Sequence, residues 1–170
     1  LGKLYQDGVY FNKDMDQAMK WFRAAAELGN EYAAYRMGCL LLLGEKIPKD
    51  VEAAVKWLSL SAEKGNPYAQ YRLGMLYLKG EVFSPQVEVA MKWLQQAAEQ
   101  KNEWAFYQLG KLYLSGEHVT KNVETAVHYL GLCAEKGNQY AQYVLGKLYL
   151  CGRDVSRDRE KAVEYLTASA

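Results

Sequence analysis

The side chains of this chain with strong intrinsic reactivity are few: His118, His128, Cys39, Cys133 and Cys151. A zinc site needs about four such ligands, commonly arriving in close pairs, and no two of these have that spacing. Cys133 and His128 would have to meet as nucleophile and base. Five residues apart on one helix, they fall on poorly matched faces, with no third group to orient the imidazole. The glycines follow no Gly-x-Gly-x-x-Gly pattern that could cradle a phosphate. Carboxylates are scattered along helix surfaces and at helix starts, where solvated roles suffice. We therefore expect no catalytic residue, no metal and no cofactor. What the chain has in quantity is recognition chemistry: 14 tyrosines and four tryptophans alongside 21 basic residues. Tyr, Trp and Arg are the types that dominate binding hot spots.

A repeat positions those side chains. Gly2, Gly38, Gly74, Gly110 and Gly146 recur every 36 residues, as do Gly8, Gly44, Gly80, Gly116 and Gly152 and also Ala18, Ala54, Ala90, Ala126 and Ala162. An aromatic follows in register at Trp21, Trp57, Trp93, Tyr129 and Tyr165. Such self-similarity is the signature of a repeat architecture. Each unit reads as two helices. Asn30, Asn66, Asn102 and Asn138 stand where an N-cap belongs, Pro67 takes the first helical position, and a glycine stops the helix. A short loop with one apolar residue (Phe11, Ile47, Phe83, Val119 or Val155) leads to a second cap at Asp14, Asp50, Asn122 or Asp158. Ala54, Trp57, Leu58 and Ala62 then form an apolar face, and Gly29, Gly65 or Gly137 closes the helix. The third unit departs from the pattern at Gln86 and at Lys101, so its second helix is expected to fray more easily. The mid-helix glycines cost about 1 kcal/mol each against alanine, which implies close helix crossing. Gly74→Val is expected to force one such pair apart.

Read in order, Leu73-Gly74-x-x-Tyr77-x-x-Gly80, Lys49-Asp50, Ala54-x-x-Trp57-x-x-x-x-Ala62 and Gly65-Asn66 resemble the Sel-1-like repeat, a relative of the tetratricopeptide repeat. The resemblance covers the whole chain. It implies an all-α, right-handed α-solenoid of antiparallel helix pairs in one domain, 1–170, with repeats at 1–29, 30–65, 66–101, 102–137 and 138–170. It also implies an adaptor that binds other proteins, each repeat contacting its neighbours alone. The first and last repeats read as cut, as in a piece of a longer array or a larger, possibly bacterial, multidomain protein. Family members linked to β-lactam chemistry carry paired cysteines in nearly every repeat. This chain lacks them, so that activity does not carry over.

In paired-helix solenoids the first helix of each unit usually lines the concave face. Ala33, Met37, Leu40 and Leu41 fall within an arc of about 100°, the width of a buried stripe. A second stripe runs elsewhere: Tyr32, Arg36, Cys39, Leu43; Tyr68, Arg72, Met75, Lys79; Trp104, Gln108, Lys111, Ser115; Tyr140, Val144, Lys147, Cys151, with Lys3 and Asp7 in the first unit. Its composition varies between units, yet its first position is always aromatic. We expect Tyr32, Arg36, Cys39, Tyr68, Arg72, Met75, Trp104, Gln108, Lys111, Tyr140, Val144 and Lys147 to line a groove for a partner peptide or protein. Tyr35, Tyr71, Tyr107 and Tyr143 read instead as packing between repeats.

Charge narrows the alternatives. The chain carries 21 basic and 20 acidic residues, a formal net charge of +1, which argues against bulk capture of nucleic acid or of an anionic membrane. The longest apolar run, Cys39 to Leu43, is far short of the roughly 20 residues that span a bilayer. Single-stranded nucleic acid stacking on the aromatics is a lesser reading. A structural or oligomerisation arm, self-associating end to end through the cut repeats, is another. The odd cysteine count and the lack of Asn-x-Ser/Thr sequons lean towards a reducing, cytoplasmic setting.

Overall fold

The caps set the helices. In a computed structural model, which describes residues 1–8, 14–44, 48–80 and 84–170, the Asn30, Asn102 and Asn138 side chains accept from the backbone N–H of Ala33, Ala105 and Ala141, and Asn66 accepts from both Tyr68 and Ala69. Asp14, Asp50, Asn122 and Asp158 do the same for Gln17, Ala53, Thr125 and Lys161. Each satisfies a donor that the first turn would leave orphaned. Pro67 opens its helix, where a missing N–H costs nothing. The loop positions Phe11, Ile47 and Phe83 lie outside the described residues.

Among the described residues the chain forms helices and no strand. In order these are α1 (Gly2–Asp7), α2 (Met15–Glu27), α3 (Glu31–Leu43), α4 (Val51–Glu63), α5 (Pro67–Lys79), α6 (Val87–Glu99), α7 (Glu103–Ser115), α8 (Val123–Glu135), α9 (Gln139–Cys151) and α10 (Arg159–Ala168). They gather into two compact units, 1–93 and 94–170. In the first, α1 packs on α2, α2 on α3, α3 on α4 and α4 on α5; in the second, α7 packs on α8, α8 on α9 and α9 on α10. One backbone bond recurs at each turn between first and second helix. The cap residue's N–H donates to a carbonyl nine residues earlier: Asp50 to Leu41, Asn122 to Tyr113, Asp158 to Tyr149.

Small residues let the paired helices approach. A Cβ placed on Gly38 would lie 2.6 Å from Leu58 Cγ, and one on Gly110 or Gly146 would lie 2.7 Å from Leu130 or Leu166 Cγ. The mid-helix glycines are therefore contact points between paired helices. Leu58, Leu73, Leu94, Leu109, Leu130 and Leu145 are fully buried around them, each contributing about 1.5–3 kcal/mol of apolar burial. The second-helix aromatics are less central than the sequence suggested, with Trp57 and Trp93 only partly buried and Trp21 exposed. Tyr113 stacks on Tyr129, and Tyr149 on Tyr165, with ring centroids 6.2 and 6.1 Å apart. At the close of α6, Lys101 takes φ 61°, alone among the described non-glycine residues in being left-handed.

Candidate partner-binding face

The stripe read from the sequence lies on the first helices. In the first unit Tyr32, Arg36 and Cys39 stand on α3, and Tyr68, Arg72 and Met75 on α5. In the second unit Trp104, Gln108 and Lys111 stand on α7, and Tyr140, Val144 and Lys147 on α9. Tyr32, Tyr68, Trp104 and Tyr140 keep 48%, 54%, 53% and 70% of their surface exposed. Arg72, Lys111 and Lys147 are exposed as well, whereas Arg36, Cys39, Met75, Gln108 and Val144 are half-buried. The i, i+4, i+7 spacing gathers each set of three on one side of its helix.

The two aromatic series meet between successive first helices. Tyr35 lies 6.3 Å from Tyr32 on its own helix and 6.1 Å from Tyr68 on the next first helix. In the second unit Tyr107 reaches Tyr140 at 6.3 Å. These are ordinary aromatic-pair distances. Tyr35, Tyr71 and Tyr107 are half-buried, and Tyr143 is exposed. So the series read as packing forms the floor between the exposed rings. Burial pushes the Tyr35 hydroxyl up to about 12, helped by Cys39 and opposed by the nearby Arg72 charge.

In each unit a hollow opens beside the stripe residues. The first, about 210 Å³, is bounded by Cys39, Leu42, Arg72, Met75, Leu76 and Lys79. The second, about 350 Å³, is bounded by Leu114, Tyr143, Val144, Lys147, Leu148 and Cys151, with Arg153 and Asp154 also at its edge. The leucines, Arg153 and Asp154 escaped the sequence reading. Their signal was present, because Leu42 and Leu114, like Leu76 and Leu148, are 72 residues apart and hold equivalent positions. A larger hollow of about 590 Å³ lies elsewhere in the second unit, walled by Ala98, Phe106, Tyr129 and Leu132. Its Lys136 ammonium donates to the Lys101 carbonyl at 2.6 Å and sits 5.7 Å from the Phe106 ring centre.

The reactive side chains stay apart. His128 is exposed and lies against Tyr129, whereas Cys133 is fully buried and its thiol points at the Glu103 carbonyl, 3.5 Å away. Burial, then the Glu103 carboxylate, pushes that thiol up to about 11. This is the opposite of what activates a nucleophile. Among the described residues no cluster of His, Cys, Asp and Glu is arranged to hold a metal. None of the described helices is long and apolar enough to cross a membrane.

Helix hairpins repeated at a fixed period, four of them bearing an exposed aromatic at the same position of the first helix, define a tandem helical-repeat protein. Within that class the family model of the Sel1 repeat matches at residues 1–30, 31–66, 67–102, 105–138 and 139–170. The chain belongs to the Sel1 repeat family, whose members generally act as protein-interaction scaffolds and are typically non-catalytic. Among solved structures, a protective antigen of uropathogenic Escherichia coli displaying this fold is 35% identical, with TM-score 0.95 over 99% of this chain. The chain spans 36% of that antigen's length. A Sel1 repeat protein from Oxalobacter formigenes is 33% identical, with TM-score 0.91, covering 99% of this chain and 69% of its own. An immunity protein of Pseudomonas aeruginosa, 23% identical with TM-score 0.66, covers 99% of this chain and 65% of its own and shares the fold alone. No curated protein matches the chain.

Proposed function

We propose that this protein is a docking scaffold without catalytic chemistry of its own, whose first helices hold a partner polypeptide. The observation that carries this reading is the exposure of a large aromatic at the same position of α3, α5, α7 and α9. Scattered exposed apolar residues need no explanation, but an aromatic that recurs at one position of successive first helices does. Packing within the hairpin does not require these rings, since the core is complete at Ala33, Met37, Leu40 and their equivalents. Tyr and Trp bring large contact area at small entropic cost, and arginine and lysine beside them supply directional polar contacts. Arg36, Cys39, Met75, Gln108 and Val144 fill the spaces between rings and complete the face.

Photo-crosslinking groups placed singly at Arg72 and Lys111 test this. In an extract of the source cells both positions should capture one and the same polypeptide, and groups at Lys56 and Glu124 on the second helices should not. Equal capture from the second helices would place the partner elsewhere and remove the reading.

A further inference from the structure

The docking face also carries a charge that is turned outward. Along the stripe Lys3, Arg36, Arg72, Lys79, Lys111 and Lys147 are basic and Asp7 alone is acidic. The second helices run the other way, with ten carboxylates against six basic groups across α2, α4, α6, α8 and α10. A net charge of +1 conceals this segregation.

Neutral groups stand beside four of the stripe cations. Arg36 donates to the Gln6 side-chain carbonyl. Lys111 stands 5.6 Å from the Tyr107 ring centre, and Lys147 stands 5.4 Å from that of Tyr143, each over the tyrosine one turn back on its own helix. Arg72 sits against the Tyr35 hydroxyl. These partners orient the cations without cancelling their charge. Off the stripe two cations do meet carboxylates. Lys121 pairs with Asp154 at 2.6 Å, and Lys161 with Asp158 at 3.8 Å.

The hollow in the second unit brings the two properties together. Leu114, Val144 and Leu148 line it, and Lys147 and Arg153 stand at its edge. The one carboxylate at that edge, Asp154, is already engaged by Lys121. The hollow is large enough for a leucine or phenylalanine side chain. The smaller hollow in the first unit repeats the arrangement, with Leu42 and Leu76 beside Arg72 and Lys79.

We propose that the occupant of this face is an acidic polypeptide segment, which seats a bulky apolar side chain in the hollow of Leu114, Val144 and Leu148 and sets flanking Asp or Glu carboxylates against Lys147 and Arg153. The proposal rests on the docking reading above and adds the chemistry of the partner. Opposite charge across the contact would speed encounter and fix register. A nucleic acid is disfavoured because the hollow is walled by aliphatic side chains and the second helices are acidic.

The test uses the full chain and three fluorescent twelve-residue peptides. One alternates Glu with Leu and Phe, the second replaces every Glu with Lys, and the third replaces Leu and Phe with Ala; a single-stranded DNA oligomer is the fourth probe. Anisotropy titration should show the acidic apolar peptide bound at least about tenfold more tightly than the other three, and more weakly as salt is raised. Lys147→Glu with Arg153→Glu, both exposed and therefore structurally mild, should weaken it about tenfold and improve binding of the Lys peptide. Equal affinity for the acidic and basic peptides, tighter binding of the oligomer, or indifference to the charge reversal would overturn the proposal. The docking face itself is judged separately. If the crosslinked partner is still held by the charge-reversed chain and lost from Tyr68→Ala/Trp104→Ala, the face stands and the acidic chemistry falls.

Discussion

At the scale of single residues, energetics and exposure are decided by backbone geometry and burial. Lys101 adopts φ 61° where the other closing positions, Gly29, Gly65 and Gly137, are glycine. A side chain in that conformation costs about 1–2 kcal/mol, part of which glycine returns as lost chain entropy. Lys101→Gly should therefore raise stability by about 0.5–1 kcal/mol and the thermal midpoint by about 1–4 °C. Its carbonyl remains to accept from Lys136, so an unchanged or lower midpoint would show that the lysine side chain matters for another reason. Cys133 offers a second test. Its thiol is raised to about 11 and the Tyr35 hydroxyl to about 12, both above their unfolded values. Folding thus holds both groups protonated. Their contribution is complete below about pH 9 and is lost as pH rises towards 11 and 12. Denaturant midpoints should fall across that window, and at neutral pH Cys133 should be the slowest of the three cysteines to alkylate. Rapid alkylation of Cys133 in the folded protein would contradict its burial.

At the scale of helices, the hairpin stands on a close crossing. Valine at Gly110 would drive methyl groups into Leu130, whose Cγ already lies 2.7 Å from the position of a Cβ. Gly110→Val should cost about 2–3 kcal/mol. The loss should appear first as faster amide exchange in α7 and α8, with α3 and α4 protected as before, because each repeat is stabilised by its neighbours. Uniform loss of protection along the chain would mean that the repeats unfold as one. The caps, the helix stops and these glycines were legible in the sequence, because each acts within a few residues and recurs in phase. Contacts reaching into the preceding repeat were not. Lys64 donates to the Gly29 carbonyl, 35 residues back, as Lys136 does to that of Lys101. Such contacts depend on how one hairpin is turned on the last, which periodicity at 100° per residue does not define. The same turn brings Tyr35 against Tyr68. Yet a trace was there: Glu31 and Glu103, Lys64 and Lys136, and Gln70 and Gln142 each recur after two repeats.

At the scale of the whole molecule, each repeat has a constant face and a variable one. Alanine, leucine and glycine at fixed positions pack the hairpins, and the exposed positions of the first helix vary except for two recurring aromatics. The constant face was readable because burial dictates residue type; the role of the variable face is open because exposure alone does not name a partner. The central claim is that the exposed aromatics of the first helices hold that partner. Its most direct test is the affinity of the polypeptide captured by crosslinking, measured by calorimetry against the wild-type chain and against Tyr68→Ala/Trp104→Ala. Both rings are about half exposed, so their removal should leave the helical circular-dichroism signal intact, yet hot-spot aromatics cost about 2 kcal/mol or more each when truncated. The account predicts a loss of at least about a hundredfold in affinity with an unchanged spectrum. Wild-type affinity in the double variant would contradict it.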